Sequence, residues 1–354
     1  MRKKLLIVAA IVLVLLLAAG LALWYWMGKP LYTPGASRAL PLDPPAQDAN
    51  PDFWTVQPGI RIRHFSQGSG PAVLIVHGGP GWPIPEPLPA LQPLAARWRF
   101  VYYHQRGAGQ STRPVDRIAG GNFYRNMQEL DRALGLAAQI ADIERIRRIL
   151  REDRIVVMGH SWGGFMAALY AAEFPEHVRA LVLVAPAAML VMPPPEDLME
   201  KLAAALPPGR RDNYRAFMQR YFDFGALFEK SEAEHRALNA EFARYYRLAA
   251  ETQGMAVPPE TPGVESGGWM VPAMYLGMGR RHDYRPALRA VEAPVLVVHG
   301  AADMQPESAT RTYVAALPKA SLTVIPGAGH FPFADQPRRF TAALAAFLDA
   351  LPAR

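Results

Sequence analysis

The chain has no cysteine, which removes disulfide staples, thiolate metal sites, a cysteine nucleophile and a lipid-modified N-terminal cysteine. The redox compartment stays open, because an oxidising space tolerates a cysteine-free protein. Blocks of one charge are nearly absent. Lys and Arg number 38 against 31 Asp and Glu, and Arg2-Lys3-Lys4 is the one tight cationic cluster. No basic stripe interleaved with aromatics follows, which argues against nucleic acid as a partner. Neither H-E-x-x-H nor a comparable ligand cluster occurs, so no metal is expected. Gly107-Ala108-Gly109 is only a fragment of a dinucleotide fingerprint, so no nucleotide cofactor is expected either. No internal repeat is visible. What the 354 residues do carry is apolar material, 51% of the chain. That is far too much for a disordered protein and ample for one large domain or two ordinary ones.

Residues 5–27 contain no charge at all. A helix of roughly 23 residues rising ~1.5 Å each spans a ~30 Å hydrocarbon layer. The preceding Arg2, Lys3 and Lys4 place the N-terminus in the cytoplasm and the remainder outside. Trp24, Tyr25 and Trp26 stand at the far end, where amphipathic rings favour the headgroup region. A cleaved signal is the alternative, with Ala18-Ala19-Gly20 as the small-residue site and a secreted product. Residues 1–28 therefore form a membrane anchor or signal. Residues 29–52, rich in Pro, Ala and Asp, are expected to be a linker holding a globular domain off the bilayer.

Beyond the linker, 59–65 alternates apolar and polar residues as a half-exposed strand does. Residues 72–77, 99–104, 154–158, 180–185, 294–299 and 321–325 are short apolar runs suited to a sheet buried on both faces. Helical patterns fall at 124–150, 165–174, 307–317 and 334–351. Repeated β-α units predict an α/β fold, a mainly parallel sheet covered by helices. One stretch breaks the rhythm: 187–292 shows helical segments with Pro-rich breaks and no strand. The organisation expected is a core of 53–186 and 293–354 interrupted by a helical insertion, 187–292.

The chemistry sits at strand ends. Gly159-His160-Ser161-Trp162-Gly163 lies between a strand and an Ala-rich helix, the setting a nucleophile elbow requires. Its turn strains the nucleophile's backbone, and small neighbours avoid clashes. Ser161 is the candidate nucleophile. His77-Gly78-Gly79-Pro80-Gly81 ends the first buried strand. Acyl transfer needs N–H donors aimed at the oxygen that gains charge; Gly79, with Gly78 behind it, and Trp162 are the candidates. A serine hydroxyl also needs a base and an orienting carboxylate, in the chain order Ser, Asp, His. Asp303 in Gly300-Ala301-Ala302-Asp303 and His330 in Gly327-Ala328-Gly329-His330 both follow late strands and fit that order. Of the other histidines, His77 and His160 shape turns and His299 is a satisfied core residue. His64, His104, His177, His235 and His282 are expected at the surface or in loops.

HGGPG, HQRGAGQS (104–111), GHSWGG, GAADM and GAGH, in this order, resemble α/β-hydrolases of the proline iminopeptidase-like serine peptidase family. The resemblance spans about 59–351. It implies a Ser161–Asp303–His330 triad, an oxyanion hole from Gly79 and Trp162, and a helical cap formed by the insertion. Two departures stand out. His104 occupies a position where the family usually has a structural Asp, and the Trp-x-x-Trp-Glu pattern beside amine-binding cap acids is missing. Glu196, Glu200, Glu229, Glu232, Glu234 and Glu265 are available, mostly as solvated helix charges; Glu265 and the nearby Trp269 are the best placed to bind substrate. Cap aromatics and methionines, Tyr221, Phe222, Tyr246, Met270 and Tyr275 among them, could line an apolar pocket. The readings are an aminopeptidase acting on short peptides, an esterase with the same triad, or a catalytically dead membrane-tethered binding protein. Composition and motifs leave the oligomeric state open.

Overall fold

A computed structural model describes residues 2–194, 196–259 and 261–352. Eight strands form one sheet: β1 (Phe53–Gln57), β2 (Ile60–Gln67), β3 (Ala72–Val76), β4 (Arg99–Tyr103), β5 (Ile155–His160), β6 (Val178–Val184), and, after a two-stranded ribbon of β7 (Val191–Met192) and β8 (His282–Asp283), β9 (Val295–Gly300) and β10 (Ala320–Ile325). Their spatial order is β1-β2-β4-β3-β5-β6-β9-β10. Pairing is antiparallel for β1–β2 and β2–β4 and parallel across the rest.

Successive residues of the central strands go to opposite faces, as a pleated strand requires. Leu74, Val76, Val157, Leu181, Leu183 and Val297 pack on one side with Ile140, Ile143, Phe165 and Leu169. These last four belong to α3 (Leu136–Ile149) and α4 (Trp162–Glu173). Val73, Ile75, Met158, Val182 and Val298 pack on the other side with Phe340, Leu344 and Leu348. Those three come from α12 (Pro337–Asp349), which follows the short α11 (Pro332–Asp335). Both faces are covered, so the strands read as continuous apolar runs. At roughly 1.5–3 kcal/mol for each fully buried large aliphatic side chain, these two layers dominate the stabilisation.

Several expected elements differ in detail. The long helix expected at 124–150 is two helices, α2 (Phe123–Leu134) and α3, separated at Gly135. A Cβ on Gly135 would lie 2.2 Å from Asp131 Oδ1, so the backbone turns tightly there. The last helix is likewise divided into α11 and α12, with Pro337 opening the second. The insertion is not strand-free: Val191–Met192 pairs antiparallel with Asp283–His282 and closes its two ends together. Two residues a side are too short for any periodicity to announce them. Between the ribbon strands lie α5 (Leu198–Ala205), α6 (Pro208–Tyr221), α7 (Glu232–Thr252) and α8 (Met270–Met278), and α9 (Arg285–Leu288) follows β8. Ser231 caps α7 through a capping box with Glu234. Helix α10 (Glu307–Ala316) then joins β9 to β10.

At the N-terminus, α1 (Arg2–Met27) carries a fully exposed apolar span, Leu6–Tyr25, with a mean hydropathy of 3.2. The side chains of Arg2, Lys3 and Trp26 lie outside the described residues. The segment after it is not the free spacer expected. Leu31 and Tyr32 donate N–H bonds of 2.9 and 3.0 Å to the Gly277 carbonyl of α8. Tyr32 is 1% exposed, and its hydroxyl donates to Glu173 Oε1 at 2.5 Å. Ser37 reaches the same carboxylate through its N–H and its hydroxyl, each at 3.0 Å. A buried carboxylate must be satisfied, and residues 32 and 37 do that here. The reason the composition misled is that Pro-rich chain can lie extended along a surface as readily as through solvent.

Candidate active site

Ser161 stands between β5 and α4 with φ 54° and ψ −122°. That left-handed backbone is costly for a non-glycine residue and is held by its surroundings. Ser161 N–H donates to Val184 O at 2.8 Å, and the Ser161 carbonyl accepts from Gly164, Phe165 and Ala187. A Cβ on Gly159 would come within 2.1 Å of Gly163 O, and one on Gly163 within 2.0 Å of Val76 O. The elbow can therefore close only on glycine at both positions.

Ser161 Oγ lies 2.9 Å from His330 Nε2, and His330 Nδ1 lies 2.8 Å from Asp303 Oδ2. The Asp303 side chain is fully buried and the His330 side chain is 11% exposed. Asp303 Oδ1 accepts the Gln305 N–H at 2.8 Å, while Gln305 Nε2 donates to Ala185 O at 3.1 Å and also to Pro186 O. The acid loop is thereby pinned to the end of β6. His160 Nε2 donates to the His330 carbonyl at 2.8 Å. Burial lowers the His160 pKa to about 3, so the ring is neutral at ordinary pH. Gln305 and His160 are the supports that motif reading did not identify. Only their tertiary neighbours disclose them.

The HGGPG loop lies beside the serine. A Cβ on Gly78 would sit 3.0 Å from Ser161 Cβ and 3.1 Å from His160 O. Among the described residues, neither Gly79 N–H nor Trp162 N–H has a hydrogen-bond acceptor. Trp162 is also the first residue of α4, where the helix dipole adds to the attraction for negative charge. His77, which burial lowers to about 3, donates from Nδ1 to Gly78 O at 3.0 Å and accepts Gln105 N–H on Nε2 at 2.9 Å. The neutral ring ties the glycine loop to the 104–111 loop.

His104 lies in the loop after β4, as expected, but is buried, 1% exposed. Its Nε2 donates to Ile84 O and its Nδ1 accepts Gln110 N–H, both at 3.2 Å. His235 is also buried, with Nε2 donating to Leu227 O at 3.1 Å. His299 is a satisfied core residue, 3.0 Å from Thr310 Oγ1. Two other expectations need correction. Trp269 does not line the site: it is fully buried, stacked on Phe228, with Nε1 donating to Asp116 O at 2.9 Å. Glu232 is no solvated helix charge but is 6% exposed, pairing with Arg113 at 2.5 Å and accepting the Gly268 and Trp269 N–H groups.

Ser161, His330, Gly79 and Trp162 face a cavity of about 1970 Å³. Residues of the insertion form much of its wall, including Tyr221, Phe222, Tyr246 and Tyr275. Met270 and Met274 are instead fully buried in the core. Glu265 also lines the cavity, but its carboxylate is paired with Arg236 at 3.2 Å and Arg113 at 4.0 Å. Glu196 is held by Lys201 at 2.5 Å, and Asp197 caps α5 through Met199 N–H at 2.8 Å. Among the described residues, no cluster of His, Asp or Glu could hold a metal ion.

The profile of the α/β hydrolase fold family matches residues 71–337. The chain belongs to this family, and it is a hydrolase. A proline iminopeptidase of Heyndrickxia coagulans is 23% identical over 306 residues, covering 82% of this chain and 96% of the relative. Among solved structures, a thermophilic esterase from Thermogutta terrifontis superposes with a TM-score of 0.53 at 22% identity, covering 83% of this chain and 95% of the other. The proline iminopeptidase of Mycobacterium smegmatis superposes with a TM-score of 0.53 at 19% identity, covering 84% and 95%. At such identities the two structures establish the shared fold of this hydrolase.

Proposed function

We propose that this hydrolase is a serine enzyme that cleaves acyl esters through an acyl-enzyme on Ser161. The observation that carries the reading is the continuous relay from Ser161 Oγ through His330 to buried Asp303, at 2.9 and 2.8 Å, beside two N–H groups without acceptors among the described residues. His330 takes the Ser161 proton as Oγ attacks the carbonyl, then delivers it to the leaving oxygen. Asp303 fixes the tautomer and stabilises the imidazolium. Gly79 and Trp162 N–H groups receive the oxyanion. Water, deprotonated by His330, then releases the acid and restores the serine. In this reading 187–292 is the cap over a core of 53–186 and 293–354, residues 1–28 are an uncleaved anchor, and the core lies on the extracytoplasmic side.

The acids of the cavity favour an ester over a peptide N-terminus. An ammonium needs an uncommitted carboxylate, yet Glu196, Asp197 and Glu265 are each already engaged. A second reading, an aminopeptidase of the proline iminopeptidase type, is supported by the H. coagulans relative. It would have to rely on exposed Glu86 at the cavity rim. Turnover of prolyl p-nitroanilide against p-nitrophenyl butyrate separates the two. We expect ester cleavage to exceed anilide cleavage, and Ser161→Ala to reduce it at least ~1000-fold with the far-UV spectrum unchanged. Full activity in folded Ser161→Ala would remove the mechanism.

A further inference from the structure

We propose that the substrate of this site is a long-chain acyl ester taken from the lipid bilayer in which the protein is anchored. The inference rests on the acyl-enzyme reading of Ser161 and names the substrate class for it.

Three observations combine. The cavity of about 1970 Å³ is roughly twice the upper end of ordinary small-molecule sites. A butyryl ester would leave most of it empty. A chain of a dozen or more methylenes gains transfer free energy with each group buried. Its wall is supplied by large apolar side chains from both core and insertion, among them Trp82, Leu88, Phe222, Val257, Tyr275 and Phe331.

The third observation is where the membrane helix ends. Helix α8 contributes Val271 and Tyr275 to the cavity wall. Two residues beyond Tyr275, its Gly277 carbonyl accepts both Leu31 and Tyr32 N–H groups, just after α1. Arg280 N–H donates to Gly28 O at 3.3 Å, and the Arg281 guanidinium stands 4.4 Å from the Trp24 ring centroid. From Val271 to Gly277 the helix rises only ~9 Å. One helix therefore joins the acyl-binding wall to the point where α1 leaves the bilayer. A lipid ester that partitions into that bilayer is concentrated within a helix turn or two of the site.

The reaction balances as ordinary hydrolysis. Ser161 Oγ displaces the alcohol of the ester, which leaves with the proton carried by His330; water then cleaves the acyl-enzyme to a free fatty acid. No further reactant is required.

The test uses the full chain in phosphatidylcholine vesicles. Labelling of Ser161 by a fluorophosphonate is scored first, because its absence would overturn the acyl-enzyme reading itself. With labelling complete, kcat/KM for p-nitrophenyl esters from C4 to C16, referred to the free aqueous concentration of each ester, should rise at least ~10-fold for every four methylenes added. A flat or falling series in fully labelled protein would overturn the acyl-chain assignment alone. Val271→Lys should lower the C16-to-C4 preference at least tenfold; an unchanged ratio would remove α8 from the acyl-binding wall. For the source, 1-palmitoylglycerol is placed either in the enzyme's own vesicles or in separate ones. Hydrolysis at least tenfold faster in the shared bilayer is expected. Equal rates would overturn uptake from the bilayer.

Discussion

At the residue scale, the site depends on atoms that are missing as much as on those present. The missing Cβ of Gly163 leaves room for Val76 O, 2.0 Å from where it would be. We expect Gly163→Ala to cost about 1–3 kcal/mol in urea unfolding and to slow fluorophosphonate labelling, because α4 must retreat from β3. Asp131 presents a different cost. Burial pushes its carboxyl up to about 6, and Oδ1 has no hydrogen-bond partner among the described residues. An unfolded Asp titrates near ~3.9. Below that pH both states are protonated. Between ~4 and ~6 the unfolded chain releases its proton first and stability falls; above ~6 the loss is complete. Asp131→Asn should therefore raise stability by about 2–3 kcal/mol at pH 8 and change it little at pH 4, read from paired denaturation curves.

At the element scale, α11 couples the His330 loop to the insertion. Asp335 Oδ2 accepts Gly329 N–H at 2.8 Å, and its Oδ1 accepts Ala256 N–H at 2.7 Å. One carboxylate thus holds the residue before His330 and the loop that follows α7. Asp335 acts as a positioning residue: Asp335→Ala should lower kcat about tenfold at unchanged KM, with Asp335→Asn falling between, because the substrate cavity stays intact while His330 loses its fixed approach. A proportional change in KM instead would mean that the clamp shapes binding. The same scale explains the divided helices. Gly135 and Pro337 interrupt otherwise continuous apolar periodicities, and a period alone does not say whether a helix bends or restarts.

At the scale of the whole molecule, the segment after α1 straps that helix to the body. Besides Tyr32 and Ser37 on Glu173, Arg38 pairs with Glu176 at 2.6 Å and Arg145 donates to Pro41 O at 2.6 Å. Burial raises the Glu173 pKa, against the lowering bonds from Tyr32 and Ser37. Removing residues 1–28 should leave the melting temperature of the body near that of the full chain. Removing residues 1–43 strips those bonds from a buried carboxyl and should cost at least ~2 kcal/mol. Equal stability of the two truncations would show that the strap rides on the surface.

Much of this was readable along the chain. The apolar span, the buried strands and the glycine-flanked Ser161 are local patterns, because burial on both faces and a tight elbow constrain neighbouring residues. The order Ser161, Asp303, His330 at strand ends was legible for the same reason. Their meeting at hydrogen-bond distance was decided by parallel strands that bring three loops, far apart in sequence, to one edge of the sheet. Tertiary structure alone also buried His104 and Trp269, paired Glu232 with Arg113, strapped Tyr32 to Glu173 and committed Glu196, Asp197 and Glu265 of the cavity to other partners. Each of these depends on which side chain arrives across the fold, and a linear pattern carries no information about that.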